Sequence, residues 1–464
     1  MTSLSRQGYS IKKEYYDDKD LNIVKKELTV EVQNHMFDHI EPKKYKLYRE
    51  NKTKLYLPKY YGLQRFGIPD RNVIGQGETR SNMNFVGSLR DYQIEQVDAF
   101  LNACDDPTKM GGIVSIGCGG GKTVIAINIA CRLKLKTLFI SHKDFLNVQF
   151  AERVKMFSPD SSIGIIKQNK IDIENKDFVV GSLQSIAMRD YDHDIFKDFG
   201  LVIIDEVHHC SAEVFSQALI KTCSPFVLGL SATLNRKDGL RKVFEWFIGK
   251  PVIKLINNTD DNDIDVKYYH FTSNNTEYNR IETMFNGKIS AVKMLGNVVS
   301  YKPRIQFIVE AIKENMTKER QLLVLSERKA LLNDIYTLLN NNDNNDNNDN
   351  NDNNDNNDTD FDYTIGYYIG GMTQKKLNES AKANIILATT HMSSEGLDIP
   401  TLNSLILVSP MSDIEQSVGR ILRSKVSDRI IKPLIIDIVD NFSIFINRFN
   451  KRKAYYKKKK YNIM

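Results

Sequence analysis

The chain is short of the features that would fit it for an oxidising compartment or a membrane. Its five cysteines, Cys104, Cys118, Cys131, Cys210 and Cys223, are odd in number and form no C-x-x-C pair. That argues against a disulfide framework and against a cysteine zinc cluster. His208-His209-Cys210 is contiguous, the wrong spacing for a tetrahedral metal site on one element. No apolar run reaches the roughly 18 residues of a membrane span. The opening stretch MTSLSRQGYSIKKEYYDDKD lacks the apolar core of a secretory signal. The expectation is an intracellular protein in a reducing compartment, with no membrane partner.

What is present is an ordinary globular composition, 41% hydrophobic and 26% charged, in 464 residues. That length holds two or three domains of roughly 100–200 residues. The formal net charge is +6, and six aspartates sit in one low-complexity tract, so the rest of the chain is more basic than the total implies. A basic surface points to an anionic partner.

Residues 1–84 read as a basic, tyrosine-rich extension. Lys43 to Arg65 holds eight Lys/Arg, one Glu and five Tyr. Alternating runs flank Arg49 to Thr53 in the manner of a β-hairpin. Such a ribbon suits phosphate contact and base stacking. It equally suits a solvated hairpin whose tyrosines pack on the next domain. From about 85 to 255, short β-branched runs at 112–116, 137–141, 178–182, 201–205 and 226–231 alternate with amphipathic segments. The same rhythm returns over 301–440, at 321–326, 363–369, 383–389, 403–409 and 432–439. The expectation is an α/β chain of two tandem parallel-sheet domains. A polar connection at 256–300 joins them, and a basic tail covers 441–464. The N-N-D repeat from Asn340 to Asp358 has no apolar residue. It cannot offset the entropy of ordering, so 340–360 reads as a disordered insert.

Chemistry enters at GIVSI followed by Gly117-Cys118-Gly119-Gly120-Gly121-Lys122-Thr123 and a helical pattern. Strand, glycine turn and helix are the context of a phosphate loop. Glycines admit backbone N–H groups to phosphate oxygens, and the helix N-terminus adds positive charge. Lys122 would reach the β- and γ-phosphates, and Thr123 would ligate Mg²⁺. The general P-loop pattern begins with glycine where this chain has Ile116. LVIIDEVHH then sets Asp205 and Glu206 at the end of an apolar strand, where such sheets bind ligands. Asp205 would hold Mg²⁺ and Glu206 would polarise the attacking water. In the second half, Arg420 and Arg423 lie three apart, on one face if helical, as candidate arginine fingers.

The order LRDYQ (89–93), GCGGGKT, SHKDFLNVQF, GSLQS (181–185), DEVH, SAT, SSEGLD and QSVGRILR resembles the superfamily 2 helicases and translocases over about 85–440. The DEVH box, LSATLNRKDG and QSVGRILR look closest to the XPB-like branch. The flanking segments look like helicases of large DNA viruses, the poxvirus-type transcript-release helicase among them. The resemblance implies two RecA-like domains hydrolysing ATP with Mg²⁺ between them to move on nucleic acid, DNA rather than RNA, with transcription machinery as a partner. A viral origin would put it in the host cytoplasm and the virion. It also implies roles for single residues. Arg90 and Gln93 would contact adenine, and Gly119, Gly121, Lys122 and Thr123 the phosphates. Gly396 and Asp398 would lie near the ribose, and Gln416, Arg420 and Arg423 would sense the γ-phosphate. Ser141, Ser182, Gln184 and Ser185 would touch the nucleic-acid backbone. Arg236-Lys237-Asp238 departs from the Arg-Glu-Asp of XPB-like chains. A catalytically silent nucleic-acid scaffold, or a translocase without strand separation, is the alternative.

Overall fold

The computed structural model describes residues 1–32, 43–117, 120–205, 212–231, 241–253, 264–342, 362–395, 397, 399–422 and 429–464. They divide into two compact units, Met1–Asn257 and Asn258–Met464.

The first unit is built on a seven-stranded sheet. From edge to edge its strands are Lys170–Asp172, Ile163–Lys167, Phe178–Ser182, Thr137–Ser141, Leu201–Ile204, Phe226–Ser231 and Gly111–Ser115. All pairings are parallel except that of Lys170–Asp172, which closes a short hairpin. The continuous apolar runs are explained by burial on both faces. Ile113, Leu138, Ile140, Val202 and Ile204 enter one core, while Val114, Phe139, Leu201 and Ile203 enter the other. Successive side chains thus supply opposite cores at the period of two that a strand imposes.

The basic, tyrosine-rich lead-in is part of this unit. A five-stranded sheet runs Arg49–Glu50, Lys54–Leu57, Gly8–Lys12, Thr2–Ser5 and Arg71–Asn72, and a separate ribbon pairs Thr29–Val32 with Lys43–Lys46. Arg49–Glu50 and Lys54–Leu57 pair antiparallel across the turn at 51–53, which the Asn51 N–H closes on the Lys54 carbonyl at 3.0 Å. Leu4, Tyr9, Ile11, Leu55, Tyr60 and Tyr61 join the core that holds Ile113, Val202 and Phe247. Tyr60 Oη donates to the Met110 carbonyl at 2.8 Å, and the Tyr61 and Trp246 rings meet edge-on at 5.5 Å. The buried tyrosines therefore serve packing. Lys59 is also buried and donates to the carbonyls of Ser224, at 3.2 Å, and Pro225.

The second unit carries a wholly parallel seven-stranded sheet. Its order is Ile365–Tyr368, Ile385–Thr389, Leu322–Ser326, Ser404–Leu407, Leu434–Asp440, Asp265–Phe271 and Asn462–Ile463. Leu323, Leu325, Leu405 and Leu407 fill one core; Leu322, Val324, Ile406 and Ile436 fill the other. Residues 265–271, inside the stretch read as a connection, form one of its strands. The helix Ser443–Lys458 occupies most of the stretch read as a basic tail. Phe445, Phe449, Tyr456 and Arg452 are buried, and Arg452 pairs with buried Asp437 at 2.8 Å. On the same strand Asp440 accepts a two-pronged pair from Arg304, at 2.6 and 2.9 Å. Most of the N-N-D insert lies outside the described residues.

Candidate nucleotide site

The loop after Gly111–Ser115 is fixed on the sheet side before it turns. Ile116 is 6% exposed, and its N–H donates to the Ser231 carbonyl at 3.1 Å. It is therefore the residue that anchors the loop to the neighbouring strand and to the core. The turn then closes with the Gly120 N–H on the Gly117 carbonyl at 3.1 Å. Gly121 takes a left-handed conformation, φ +78°, directly before the helix Lys122–Leu133. L residues with a side chain avoid that region. A Cβ on Gly121 would also lie 2.3 Å from Gln93 Nε2, and one on Gly120 would lie 2.1 Å from the Ile116 side chain. Cys118 and Gly119 lie outside the described residues.

Lys122 and Thr123 are the first two residues of that helix and are half-buried. No side chain caps this helix at Gly121, and its first turn holds no acidic residue. The first amides of a helix lack intrahelical acceptors and carry the positive end of its dipole. Glycine supplies no side chain to cap them, and a helix N-terminus of this kind suits an anion.

A second element braces the loop from the side. Arg90 caps the helix Asp91–Asp105, and its N–H donates to Gln93 Oε1 at 2.9 Å. Gln93 Nε2 donates to the Gly120 carbonyl at 3.0 Å, and Tyr92 Oη donates to the same oxygen at 3.1 Å. Arg90 Nη1 lies 3.2 Å from Tyr92 Oη. Gln93 is buried and both ends of its amide are engaged within the protein. Gln93, which the family resemblance assigns to adenine, holds the Gly120 carbonyl of the loop. Arg90 and Tyr92 stay exposed. Tyr92 was missed by sequence reasoning, although its place between Arg90 and Gln93 was the signal available.

The same edge of the sheet gathers the other first-unit residues. Asp205 follows Leu201–Ile204, with its N–H on the Ile140 carbonyl at 3.1 Å, and is half-buried. One strand, Phe226–Ser231, separates its strand from the one feeding the glycine loop. Two strand spacings are about 10 Å. Glu206 and Ala232–Leu240, which holds Arg236, Lys237 and Asp238, lie outside the described residues. Ser141 and Ser182 are paired in register at the ends of their strands. Ser141 is buried, with Oγ 2.8 Å from the Lys143 carbonyl and 2.9 Å from Asn147 Oδ1. Ser182 and Ser185 are half-buried and Gln184 is exposed, at the start of the helix Leu183–Met188. Ser185 Oγ accepts from the Gln168 N–H at 3.2 Å.

In the second unit, Gln416 lies in the short helix Glu415–Val418. The chain continues as a turn, with the Arg420 N–H donating to the Ser417 carbonyl at 3.1 Å, so Arg420 lies past the end of that helix. Arg420 Nη1 donates to the Leu397 carbonyl at 2.9 Å. Gly396, Asp398 and Arg423 lie outside the described residues.

Residues 87–236 match the family model of the Type III restriction enzyme, res subunit. Over 471 residues the chain is 37% identical to "Putative ATP-dependent RNA helicase L396" of Acanthamoeba polyphaga mimivirus, covering 100% of this chain and 86% of that protein. It is 26% identical to "Putative helicase 161L" of Invertebrate iridescent virus 6, covering 84% and 85%. The solved structure "S. cerevisiae Dbp5 bound to RNA and ADP BeF3" shares the fold, with a TM-score of 0.50 at 13% identity over 80% of this chain and 88% of that one. Identity of 37% along the full length, together with the two parallel sheets and the braced glycine loop, places the protein: the chain belongs to the viral superfamily 2 helicases.

Proposed function

We propose that this chain is a nucleic-acid-dependent ATPase that hydrolyses Mg²⁺-ATP to move along a strand. The observation that carries the reading is the loop Ile116–Gly121. It is braced by Gln93 and Tyr92 and runs into an uncapped helix N-terminus bearing Lys122 and Thr123. A glycine turn that excludes a Cβ at two successive positions fits a triphosphate chain approached closely by backbone. The Thr123 hydroxyl and the Asp205 carboxylate are hard oxygen donors, the set that suits Mg²⁺.

In this reading Lys122 neutralises the β- and γ-phosphates, and Thr123 and Asp205 hold the cation. Glu206 orients the water that attacks. Bound Mg²⁺ would supply charge neutralisation on the phosphoryl oxygens. Gln93 acts by holding the Gly120 carbonyl, which keeps the loop's N–H groups turned outward. Ser182, Gln184 and Ser185 contact the backbone of the strand, a sequence-tolerant and salt-sensitive mode. Gln416, Arg420 and Arg423 keep the γ-phosphate role that their motif implies.

DNA is the track that the family resemblance favours, and the mimivirus relative is named as an RNA helicase. Transcription in the infected cell, in a reducing compartment, is the process we assign. The test measures ATP hydrolysis with single-stranded DNA, duplex DNA and RNA, followed by strand displacement on tailed duplexes. Stimulation by at least one strand is expected; hydrolysis indifferent to all three contradicts the reading.

A further inference from the structure

The second unit carries a small hairpin at 281–290 that the ATPase reading does not use. Its build is ordered. Thr283 and Ile289 form an antiparallel bridge. The Met284 N–H donates to the Lys288 carbonyl at 2.8 Å, the Gly287 N–H to the Met284 carbonyl at 2.9 Å, and the Ser290 N–H to the Glu282 carbonyl at 2.7 Å. Gly287 supplies the left-handed position, φ +74°, that a three-residue hairpin loop requires. Asn286 Oδ1 accepts the Lys288 N–H at 3.1 Å. The sequence thus specifies a tight turn with Phe285 at its tip.

Phe285 is 114% exposed, as far into solvent as a side chain reaches. Met284 and Ile289 beside it are exposed as well. A turn of this kind needs no aromatic residue, and an exposed apolar cluster on a rigid projection marks a contact surface. Its surroundings indicate the partner. From Thr283 to Ser300 there is no Asp or Glu, and Lys288 and Lys293 follow the tip. The Glu282 carboxylate lies 3.2 Å from Arg280. The hairpin's base is welded to a second basic element. Tyr278, Met294 and Val298 share one buried cluster with Phe445 of the helix Ser443–Lys458. From Ser443 to Met464 the chain holds eight Lys/Arg and no acid. Lys451, Lys457 and Lys458 are exposed on that helix.

We propose that this hairpin is a base-stacking element: Phe285 lays its ring against a nucleobase of the bound strand, while lysines of the Ser443–Met464 segment hold phosphates. An aromatic tip among cations, with the one acid of the hairpin, Glu282, paired to Arg280, fits a polyanion that carries π-faces, the pairing that single-strand binders use. Apolar side chains likewise wedge between base steps where proteins unstack nucleic acid. The inference rests on the helicase reading, since it names how that strand is held.

The test uses the full chain, with Phe285→Ala and Phe285→Trp, without ATP. Binding is measured to single-stranded DNA and to RNA, each carrying the fluorescent base 2-aminopurine. Phe285→Ala should weaken binding roughly 5- to 100-fold, the loss of one base stack, and change the 2-aminopurine signal. Phe285→Trp should restore both. The strand that shows the effect identifies the track. Hydrolysis without nucleic acid should be the same in all three proteins, because the ring is fully exposed and supports no packing of its own unit. If Phe285→Ala binds both strands like the unaltered chain, the proposal is overturned and the ring is left to a protein partner. If the unaltered chain binds neither strand, the helicase reading falls first and this one with it.

Discussion

The side-chain amide nitrogen of Gln93 donates to the carbonyl oxygen of Gly120 at 3.0 Å, while its amide oxygen accepts the Arg90 N–H at 2.9 Å. One buried side chain thus ties the start of a helix to the turn of the glycine loop. Replacing it with alanine removes two hydrogen bonds near the triphosphate position. Each is worth about 0.5–1.5 kcal/mol net, so Gln93→Ala should raise KM for ATP roughly 5- to 100-fold. Tyr92→Phe removes a bond to the same carbonyl from an exposed position and should change KM by less than about threefold. Steady-state ATPase kinetics on the two variants check the ranking.

Gly121→Ala tests the loop's shape. An alanine at φ +78° costs about 1–2 kcal/mol, and its Cβ would fall 2.3 Å from Gln93 Nε2. The side chain of Gln93 must then leave, and the brace is lost with it. ATP affinity should fall by about tenfold or more, read by calorimetric titration, while circular dichroism stays unchanged. Unaltered affinity would show that the turn tolerates a different path.

The second unit depends on charge buried in pairs. Asp437 is fully buried against Arg452, which is 1% exposed, and the Tyr456 hydroxyl donates to its second oxygen at 3.0 Å. Asp437→Ala strands the Arg452 cation in the core and should destabilise that unit by about 3–5 kcal/mol. The double variant Asp437→Leu with Arg452→Met should lose less, since no charge stays unpaired. Urea titration followed by circular dichroism separates the two outcomes.

Lys59 gives the first unit a pH dependence. Burial lowers its ammonium from the ordinary 10.5 to about 8. Between those values the unfolded chain binds more protons than the folded one, so this residue's contribution to stability rises with pH across the window. The full gain is at most about 3 kcal/mol. The midpoint of thermal unfolding, compared between the unaltered chain and Lys59→Met at pH values below and above the window, should diverge in favour of lysine as pH rises. Parallel curves would contradict the assignment.

The two parallel sheets were legible because a strand buried on both faces has no choice but a run such as LVIID or LLVLS. Strands with less to bury were hidden. Asp265–Phe271 reads DVKYYHF, in which Val266 alone is fully buried, and its polar positions look like a connection. Ile163–Lys167 buries alternate residues one strand in from the edge of its sheet and carries too little apolar sequence to stand out. The helix Ser443–Lys458 was masked by its lysines, because Phe445, Phe449 and Tyr456 occur too sparsely among them to look like a buried face. At the candidate site, the strand–glycine turn–helix and the strand-end place of Asp205 were legible because glycine runs and a carboxylate after an apolar run leave few other local structures. The turn of Gln93 toward Gly120, and the hydroxyl of Ser141 toward Asn147, were not legible. Each is set by which partner the tertiary fold brings near.

The most direct test of the account is the nucleic-acid-stimulated ATPase of Lys122→Ala. Lys122 opens the helix that follows the braced loop and is assigned to the transferred phosphates. Hydrolysis stimulated by single strands should fall to background in this variant, while the fold and strand binding persist. Turnover near that of the unaltered chain would contradict the assignment of this loop as the nucleotide site.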